Sequence, residues 1–462
     1  MHCGYVTTLK NVRPHANADR MKLADCFGNT VCVGLDANEG DVVIYFPCDL
    51  QLSVEFCREH DLVRRKDEQG NPAGGYLDPD KRNIKAIKLR GEKSDGITFP
   101  LTALDFTGVD ISTFNIGDTI TVVNGVEICR KYIPRGNRSG ASGGGGNRTR
   151  KHKDPVAPQF AEHADTEQLA YNLSAFKPGD EIEITLKMHG TSQRTGYLPK
   201  LVGYKRTFWE RLTRKQGAPI YDYGYVSGTR RVVLDDFDGG FYGSNEFREQ
   251  HAKKFEGKLW KGETVYYEVV GFTHTGVPIM GDANNKKLND KEFIKQYGET
   301  TCFSYGCSPN PMPALVHGPT GEVRAEAVPQ SDMYVYRMTC TTPDGNVIEY
   351  TPDFMRYRCE LMGVKTVPVF EKFIIPEYAV DRDGSTDDLS NTAGEYVKSK
   401  AEEYYDGTDP VGKTHVREGV VVRIVNRPKF TAYKHKNFAF KVLEGIVKDT
   451  AVAPDMEEVQ EV

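Results

Sequence analysis

The sequence lacks several features that would assign a protein to a class at once. It has no CxxC pair: its ten cysteines stand apart at 3, 26, 32, 48, 57, 129, 302, 307, 340 and 359. That spacing argues against a zinc ribbon or a thioredoxin-like site. A disulfide scaffold is not expected in a chain this long without an export signal, so free thiols in a reducing compartment are expected. The uninterrupted apolar stretches are short, such as Val42-Val43-Ile44-Tyr45-Phe46. A membrane span needs about 20 apolar residues, so no membrane association is expected. The opening Met1-His2-Cys3-Gly4-Tyr5 has no basic segment followed by an apolar one. A signal peptide is therefore not expected, and the expected location is cytoplasmic. No internal repeat stands out. The net charge is −5, so the molecule as a whole is not a polycation. Any contact with nucleic acid must come from local basic patches.

What is present describes an ordinary globular chain. Its 462 residues suggest about three average domains or two unequal ones. The clearest boundary lies between Arg130 and Pro155. There Ser139-Gly140-Ala141-Ser142-Gly143-Gly144-Gly145-Gly146 is flanked by eight Lys or Arg residues, with Asp154 as the one acid. Such a stretch reads as a flexible, solvated linker, and its charge also allows contact with phosphates. Before it, Gly4–Leu9, Val31–Leu35, Asp41–Phe46 and Asn83–Leu89 read as short strands between turns, which suggests a small β-barrel. After it, strands and helices mix. Ile182, Ile184 and Leu186 alternate with Glu181, Glu183 and Thr185 in a strand running to Lys187. Thr264–Val270, Gly419–Val425 and Phe438–Leu443 read as further strands, and Asp387–Tyr405 as the best helix. The expected domains are 1–129, a linker at 130–160, a larger domain at 161–454 and an acidic tail at 455–462.

Five short features of the larger domain carry chemistry. Lys187-Met188-His189-Gly190-Thr191-Ser192 follows a strand. A lysine there can act as a nucleophile once its amine has lost a proton, which nearby positive charge or a metal favours. The glycine lets the backbone approach a nucleotide closely. Alone, the lysine reads better as a surface residue before a turn. In Ser227-Gly228-Thr229-Arg230-Arg231 a tight turn presents two guanidiniums suited to ribose, phosphate or carboxylate. Arg230 is favoured over Arg231, and a plain basic hairpin end is the alternative. In Tyr266-Tyr267-Glu268-Val269-Val270-Gly271 an acid suited to ribose hydroxyls or metal-bound water sits on a strand; a solvent-facing edge is the alternative. Glu418-Gly419-Val420-Val421-Val422-Arg423 places a carboxylate before a buried strand, where it could hold a divalent metal against phosphate, or simply cap a turn. In Tyr433-Lys434-His435-Lys436-Asn437 two lysines two apart share one face of a strand, where their repulsion favours a bound polyanion as neutraliser; taken alone, a solvated basic loop is the stronger reading.

In this order the five features resemble motifs I, Ia, III, IV and V of the covalent nucleotidyltransferase superfamily of DNA ligases, RNA ligases and capping enzymes. Met333-Tyr334-Val335-Tyr336-Arg337-Met338 resembles the aromatic strand of motif IIIa, with Arg337 where the family commonly has an acid. His189 at the third position of motif I, and Lys434-x-Lys436-Asn437 after a tyrosine, resemble the RNA ligase 2 branch. Lys441 is a competing motif V lysine. A small β domain ahead of the catalytic domain resembles RNA ligase family 5, with Asn83–Pro100 similar to part of its N-terminal OB domain.

The resemblance implies an α+β chain: an N-terminal OB-type β-barrel, a Gly-rich basic linker, and a nucleotidyltransferase domain built on antiparallel sheets with flanking helices. It implies an ATP-dependent RNA ligase. Lys187 would be the nucleophile, and Lys434 and Lys436 would bind the α-phosphate, with His189 serving later steps or pyrophosphate. Arg230, Tyr336, Gly190 and Leu186 would line the nucleotide site, with Tyr336 on adenine. Glu418, and Glu268 as second choice, would hold Mg2+ or Mn2+ through water, unless Glu268 holds ribose. The partners would be RNA ends or a nicked duplex containing RNA, and the chain a monomer. Two alternatives remain: a DNA ligase or GTP-using capping enzyme, and a non-catalytic RNA-binding adaptor. The second is suggested by Pro14-His15-Ala16-Asn17-Ala18-Asp19-Arg20-Met21, which resembles the start of tRNA-binding OB modules.

Overall fold

The computed structural model describes residues 2–133, 154–212, 217–230, 232–234, 237, 245–310, 313–317, 323–377 and 392–450. Arg231, most of the expected linker, the start of the expected helix at Asp387 and the acidic tail lie outside these residues. The chain is a mixed α+β protein in which antiparallel sheets dominate and helices are few. It divides into two compact units. The first holds the N-terminal residues together with Asn284–Lys291 and the helix Phe438–Thr450. The second holds the remaining described residues. The 161–454 boundary drawn from the sequence differs from this division in those two segments.

In the first unit the strands are short. Ile97–Pro100, Val42–Phe46, Gly4–Thr8 and Thr119–Ile120 form one antiparallel sheet, and Lys10–Pro14, Lys22–Cys26 and Asn29–Val33 form another. The remaining strands pair two by two. No single closed barrel forms among the described residues, since most strands run for only two to five residues before a turn interrupts them. What unites the pieces is a shared core of Val6, Ile44, Phe46, Leu52, Phe56 and Leu104, with edge-to-face contacts among Phe46, Phe56 and Phe99.

Phe438–Leu443, expected as a strand, is the start of the helix Phe438–Thr450. A short apolar run is ambiguous between the two periods. The three-residue spacing of the buried Phe440 and Leu443 decides for the helix. Lys441 on this helix forms an ion pair with Asp95, and Lys88 pairs with Asp290 at 2.6 Å, both inside the first unit. The competing motif V lysine is thus committed to a structural pair.

The second unit is built on two sheets. The five-stranded sheet runs Glu167–Gln168, Thr431–Lys436, Gly419–Ile424, Glu181–Leu186, Val369–Ile374. Only the pairing of Glu167–Gln168 with Thr431–Lys436 is parallel. Its apolar face, with Ile182, Ile184, Val420 and Val422, is covered by Ala393, Val397 and Ala401 of the helix Thr392–Glu402. Four-residue spacing puts those three small side chains on one stripe.

The six-stranded antiparallel sheet runs Val233–Leu234, Ala218–Gly228, Thr191–Lys205, Glu263–Gly271, Ser331–Thr341, Val347–Glu349. The helix Pro352–Met362 packs Met355, Cys359 and Met362 on it. Thr351 caps that helix, Pro352 opens it, and Gly363 ends it with φ of 68°. This is a start-and-stop signature visible in the sequence. All ten cysteines are free. Among the described residues, no helix is long and apolar enough to cross a membrane.

Candidate active site

The segment 187–190 joins the last residue of Glu181–Leu186 to the first of Thr191–Lys205. It is therefore the point where one sheet hands the chain to the other. Gly190 makes the crossing possible. A Cβ there would lie 2.4 Å from the carbonyl oxygen of Val269 and 2.8 Å from Cγ1 of Val270. Only glycine lets the backbone pass that close to the strand Glu263–Gly271.

Backbone hydrogen bonds then lace three of the sequence features together. The Lys187 N–H donates to the Gly419 carbonyl at 3.0 Å, and the Asn437 N–H donates to the Glu418 carbonyl at 2.9 Å. Gly419 has φ of 147°, and a Cβ there would meet the His435 carbonyl oxygen at 2.1 Å. It too is required by close approach.

The side chains converge on Glu418, which is 1% exposed. Its Oε1 lies 2.9 Å from Lys187 Nζ and 3.4 Å from Lys436 Nζ, and its Oε2 lies 3.8 Å from His189 Nδ1. Two ammoniums against one carboxylate leave the cluster net positive. Lys434 stands two residues before Lys436 on the same strand, opposite Val421. Lys187 remains 23% exposed, so its amine is reachable.

The other predicted residues lie on the second sheet. Glu268 pairs in register with Ser192 and Tyr334, and its Cγ would be 3.0 Å from a Cβ on Gly190. It therefore flanks the 187–190 crossing. The Tyr336 hydroxyl is 3.0 Å from Ser192 Oγ, which fixes the ring beside the same segment. Arg230, just past Ala218–Gly228, pairs with Asp165 at 2.6 Å. Leu186 is buried in the core beneath, its N–H donating to the Pro368 carbonyl at 2.9 Å.

Three residues that sequence reasoning passed over, together with Arg337 of the aromatic strand, hold this arrangement. The Tyr305 hydroxyl accepts the His189 N–H at 2.7 Å. Burial first, and then the charges of Asp409, Glu418 and Glu268, push this phenol well above its usual range, so it stays neutral. Arg248, fully buried, donates to the Ser192 carbonyl at 3.1 Å and to Thr191 Oγ1 at 2.5 Å. His163 lies 5.1 Å from the Tyr336 ring and 3.2 Å from Arg337. Burial, then the charges of Arg337 and Arg230, hold its imidazole well below the usual range. Arg337 itself makes a fork with Glu349 at 2.8–3.1 Å, so the acid absent from its own position arrives from the neighbouring strand. Tyr305, Arg248 and His163 stand in no recognisable sequence pattern. Their roles come from which strands pair.

Among the described residues, no group of three or more His, Cys, Asp or Glu side chains is placed to cage a metal. The buried Glu418 carboxylate between two lysines suits a different case. Magnesium-like ions usually bind through one or two carboxylates, with water and substrate phosphates completing the shell. The donor set therefore fits a metal that arrives with a polyphosphate.

No family model matches the sequence, and no curated protein matches it. Solved structures do. One of a Naegleria gruberi RNA ligase variant with ATP and Mn matches with a TM-score of 0.54 at 15% identity, over 97% of this chain and 100% of that one. Another variant of that ligase, with AMP and Mn, matches with a TM-score of 0.52 at 14% identity, over 96% and 98% of the two chains. The same ligase with PPi matches with a TM-score of 0.52 at 14% identity, over 95% and 98%. At such identities the likeness is one of fold alone, and it extends over nearly the whole chain.

Proposed function

We propose that this chain is an ATP-dependent RNA ligase that works through a covalent lysyl–AMP. The observation that carries the reading is the convergence of Lys187, Lys436 and His189 on the buried carboxylate of Glu418. The fold supports it, since the neighbours sharing it are RNA ligase structures with ATP, AMP, PPi or Mn.

In the first step the Lys187 amine attacks the α-phosphorus of ATP in line. A P–N bond forms, the P–O bond to pyrophosphate breaks, and the lysine proton passes to solvent. The AMP next moves to the 5′-phosphate of an RNA end, regenerating Lys187. The 3′-hydroxyl of the second end then attacks that phosphate and AMP leaves. Displacements of this kind need positioning and charge stabilisation above all. Lys436 and Lys434 supply positive charge to the phosphate oxygens, and the backbone lacing of 187, 419 and 437 fixes them relative to the nucleophile. A divalent ion, held through Glu418 with Glu268 as second choice, would supply further neutralisation. Tyr336, tethered by Ser192, would stack on adenine, and Arg230 would meet ribose or the RNA terminus by exchanging its pairing with Asp165. The first unit reads as an OB-type module widening the RNA footprint, and the substrate as RNA ends or a nick in a duplex containing RNA. The chain is read as a monomer.

The test uses α-labelled ATP, with GTP in parallel, magnesium or manganese, and no nucleic acid. Label from ATP that survives denaturation, and is lost in Lys187→Ala, is expected. Label from GTP instead would move the reading to a capping enzyme. No label from protein first stripped of bound AMP with pyrophosphate would sink the ligase reading and favour an RNA-binding adaptor. Sealing of nicked RNA against nicked DNA separates the RNA and DNA ligase readings.

A further inference from the structure

The strand Thr191–Lys205 is 15 residues long, but its pairing with Glu263–Gly271 ends at Gly196. Its pairing with Ala218–Gly228 continues to Lys205↔Ala218. Beyond Gly196 the sheet narrows to a two-stranded ribbon, braced on one side by the Leu201 N–H donating to Val156 at 2.8 Å and by the Tyr221 hydroxyl donating to Pro155 at 3.1 Å. At about 3.3 Å per residue, the ribbon can carry Lys205 up to ~45 Å from Thr191.

The far end of this ribbon is unusual in what it exposes. Phe208 is 75% exposed, Trp209 70% and Leu212 66%. The Phe208 and Trp209 rings stand 6.0 Å apart, edge to face. Large apolar side chains grouped on a surface mark an interaction site. Their surroundings say what kind. Residues 200–212 carry Lys200, Lys205, Arg206 and Arg211 against the single acid Glu210, in a chain whose net charge is −5. Lys205 and Arg206 are exposed beside the aromatic pair. Flat rings interleaved with cations match a ligand that has both π-faces and regularly spaced negative charge.

We propose that the end of this ribbon is a docking arm for unpaired RNA flanking the ends to be joined, with Lys205 and Arg206 on phosphates and Phe208 and Trp209 stacked on bases. The proposal rests on the RNA ligase reading and adds a second point of contact. The ribbon is the continuation of the strand that begins at Thr191, four residues after the nucleophile. RNA held at the far end is therefore tied by one continuous strand to the segment where the ends react. An anionic membrane surface also takes basic and aromatic side chains, but the link to the Lys187 segment favours RNA.

The test uses the full chain with Phe208→Ala/Trp209→Ala and, separately, Lys205→Glu/Arg206→Glu. Binding is measured to two 5′-phosphorylated nicked RNA duplexes, one blunt and one with a single-stranded extension. The extension is expected to tighten wild-type binding by about 10-fold or more and the aromatic variant's hardly at all, since the rings' stacking on bases is what the variant loses. The charge-reversal variant is expected to lower the salt dependence of binding by the equivalent of about two phosphate contacts. Labelling of Lys187 by ATP without RNA should be unchanged in both, which verifies that they fold. Equal benefit from the extension in wild type and variants would overturn the proposal. So would loss, in the variants, of wild-type binding to anionic phosphatidylserine vesicles, or a change in oligomeric state. The two readings fail separately. A labelled enzyme whose variants bind RNA normally sinks the arm alone. An unlabelled wild type whose variants lose the extension's benefit sinks the ligase reading and leaves the arm.

Discussion

The two sheets of the second unit differ in how they hold charge. The five-stranded sheet gathers it: Lys187, Glu418 and Lys436 leave three adjacent strand ends and meet within 3.4 Å. The six-stranded sheet spreads it: Glu268, Tyr336 and Arg230 sit on separate strands or turns, each with its own partner. A displacement at phosphorus needs concentrated charge at one atom, whereas a nucleotide and an RNA strand are extended objects that need contacts along a surface. On the proposed reading, chemistry and recognition fall to different sheets, joined by four residues.

Breaking the gathered charge should have the largest effect. Glu418→Ala leaves two ammoniums facing each other in a buried place. Removing one partner of a buried pair costs about 3–5 kcal/mol. A fall of several degrees in Tm is expected, with lysyl–AMP formation reduced by on the order of 10²-fold or more. Glu268→Ala should spare Tm while slowing labelling less. If the two variants lose equal stability, the contrast between the sheets is wrong.

The joint comes next. Gly190→Ala drives a methyl group against the Val269 carbonyl, a backbone atom that cannot rotate away. A loss of about 1–3 kcal/mol in urea unfolding is expected, with labelling reduced because the nucleophile segment shifts. Full activity would show that the crossing is not the constraint described here.

Acid should weaken the six-stranded side through its histidines. His251 is held at about 3 by burial and then by Lys254, and His163 is also held well below 6.5. Between about pH 6.5 and 3 the unfolded chain takes up a proton at His251 that the folded chain refuses. Stability is therefore present above pH 6.5 and falls as pH drops, by up to ~1.4 kcal/mol per pH unit for each such histidine. Urea midpoints against pH should show this slope, and His251→Gln should flatten it.

The smallest effect is expected from Tyr336→Phe. It keeps the ring and loses one hydrogen bond to Ser192, worth about 1 kcal/mol. The KM for ATP in the labelling reaction should rise by no more than about fivefold. A larger rise would mean the hydroxyl touches the nucleotide directly.

Much of the cluster was legible because its members lie in short, ordered patterns. Lys187-x-x-Gly190, Glu418-Gly419 and Lys434-x-Lys436 each carry a charge beside a residue the backbone requires, and the structure brings Lys187, His189, Glu418 and Lys436 together. Phe438–Leu443 was misread because six residues of mixed apolar character fit either period. The helix Pro352–Met362 was overlooked although Thr351, Pro352 and Gly363 mark both its ends. Tyr305, Arg248 and His163 were not legible, since nothing local distinguishes a tyrosine that will accept a backbone N–H 116 positions away.

The amino-acid order by itself determined which residues carry charge, where glycine permits close passage, and that strands would outnumber helices, because these follow from side-chain chemistry and short-range sterics. Only the tertiary structure decided that one buried carboxylate serves two lysines, that Lys441 belongs to Asp95, and that one strand outruns its sheet to bare an aromatic tip. Those outcomes depend on the register of strands distant in sequence, and register is settled by packing whole faces together, a long-range sum that no local pattern contains.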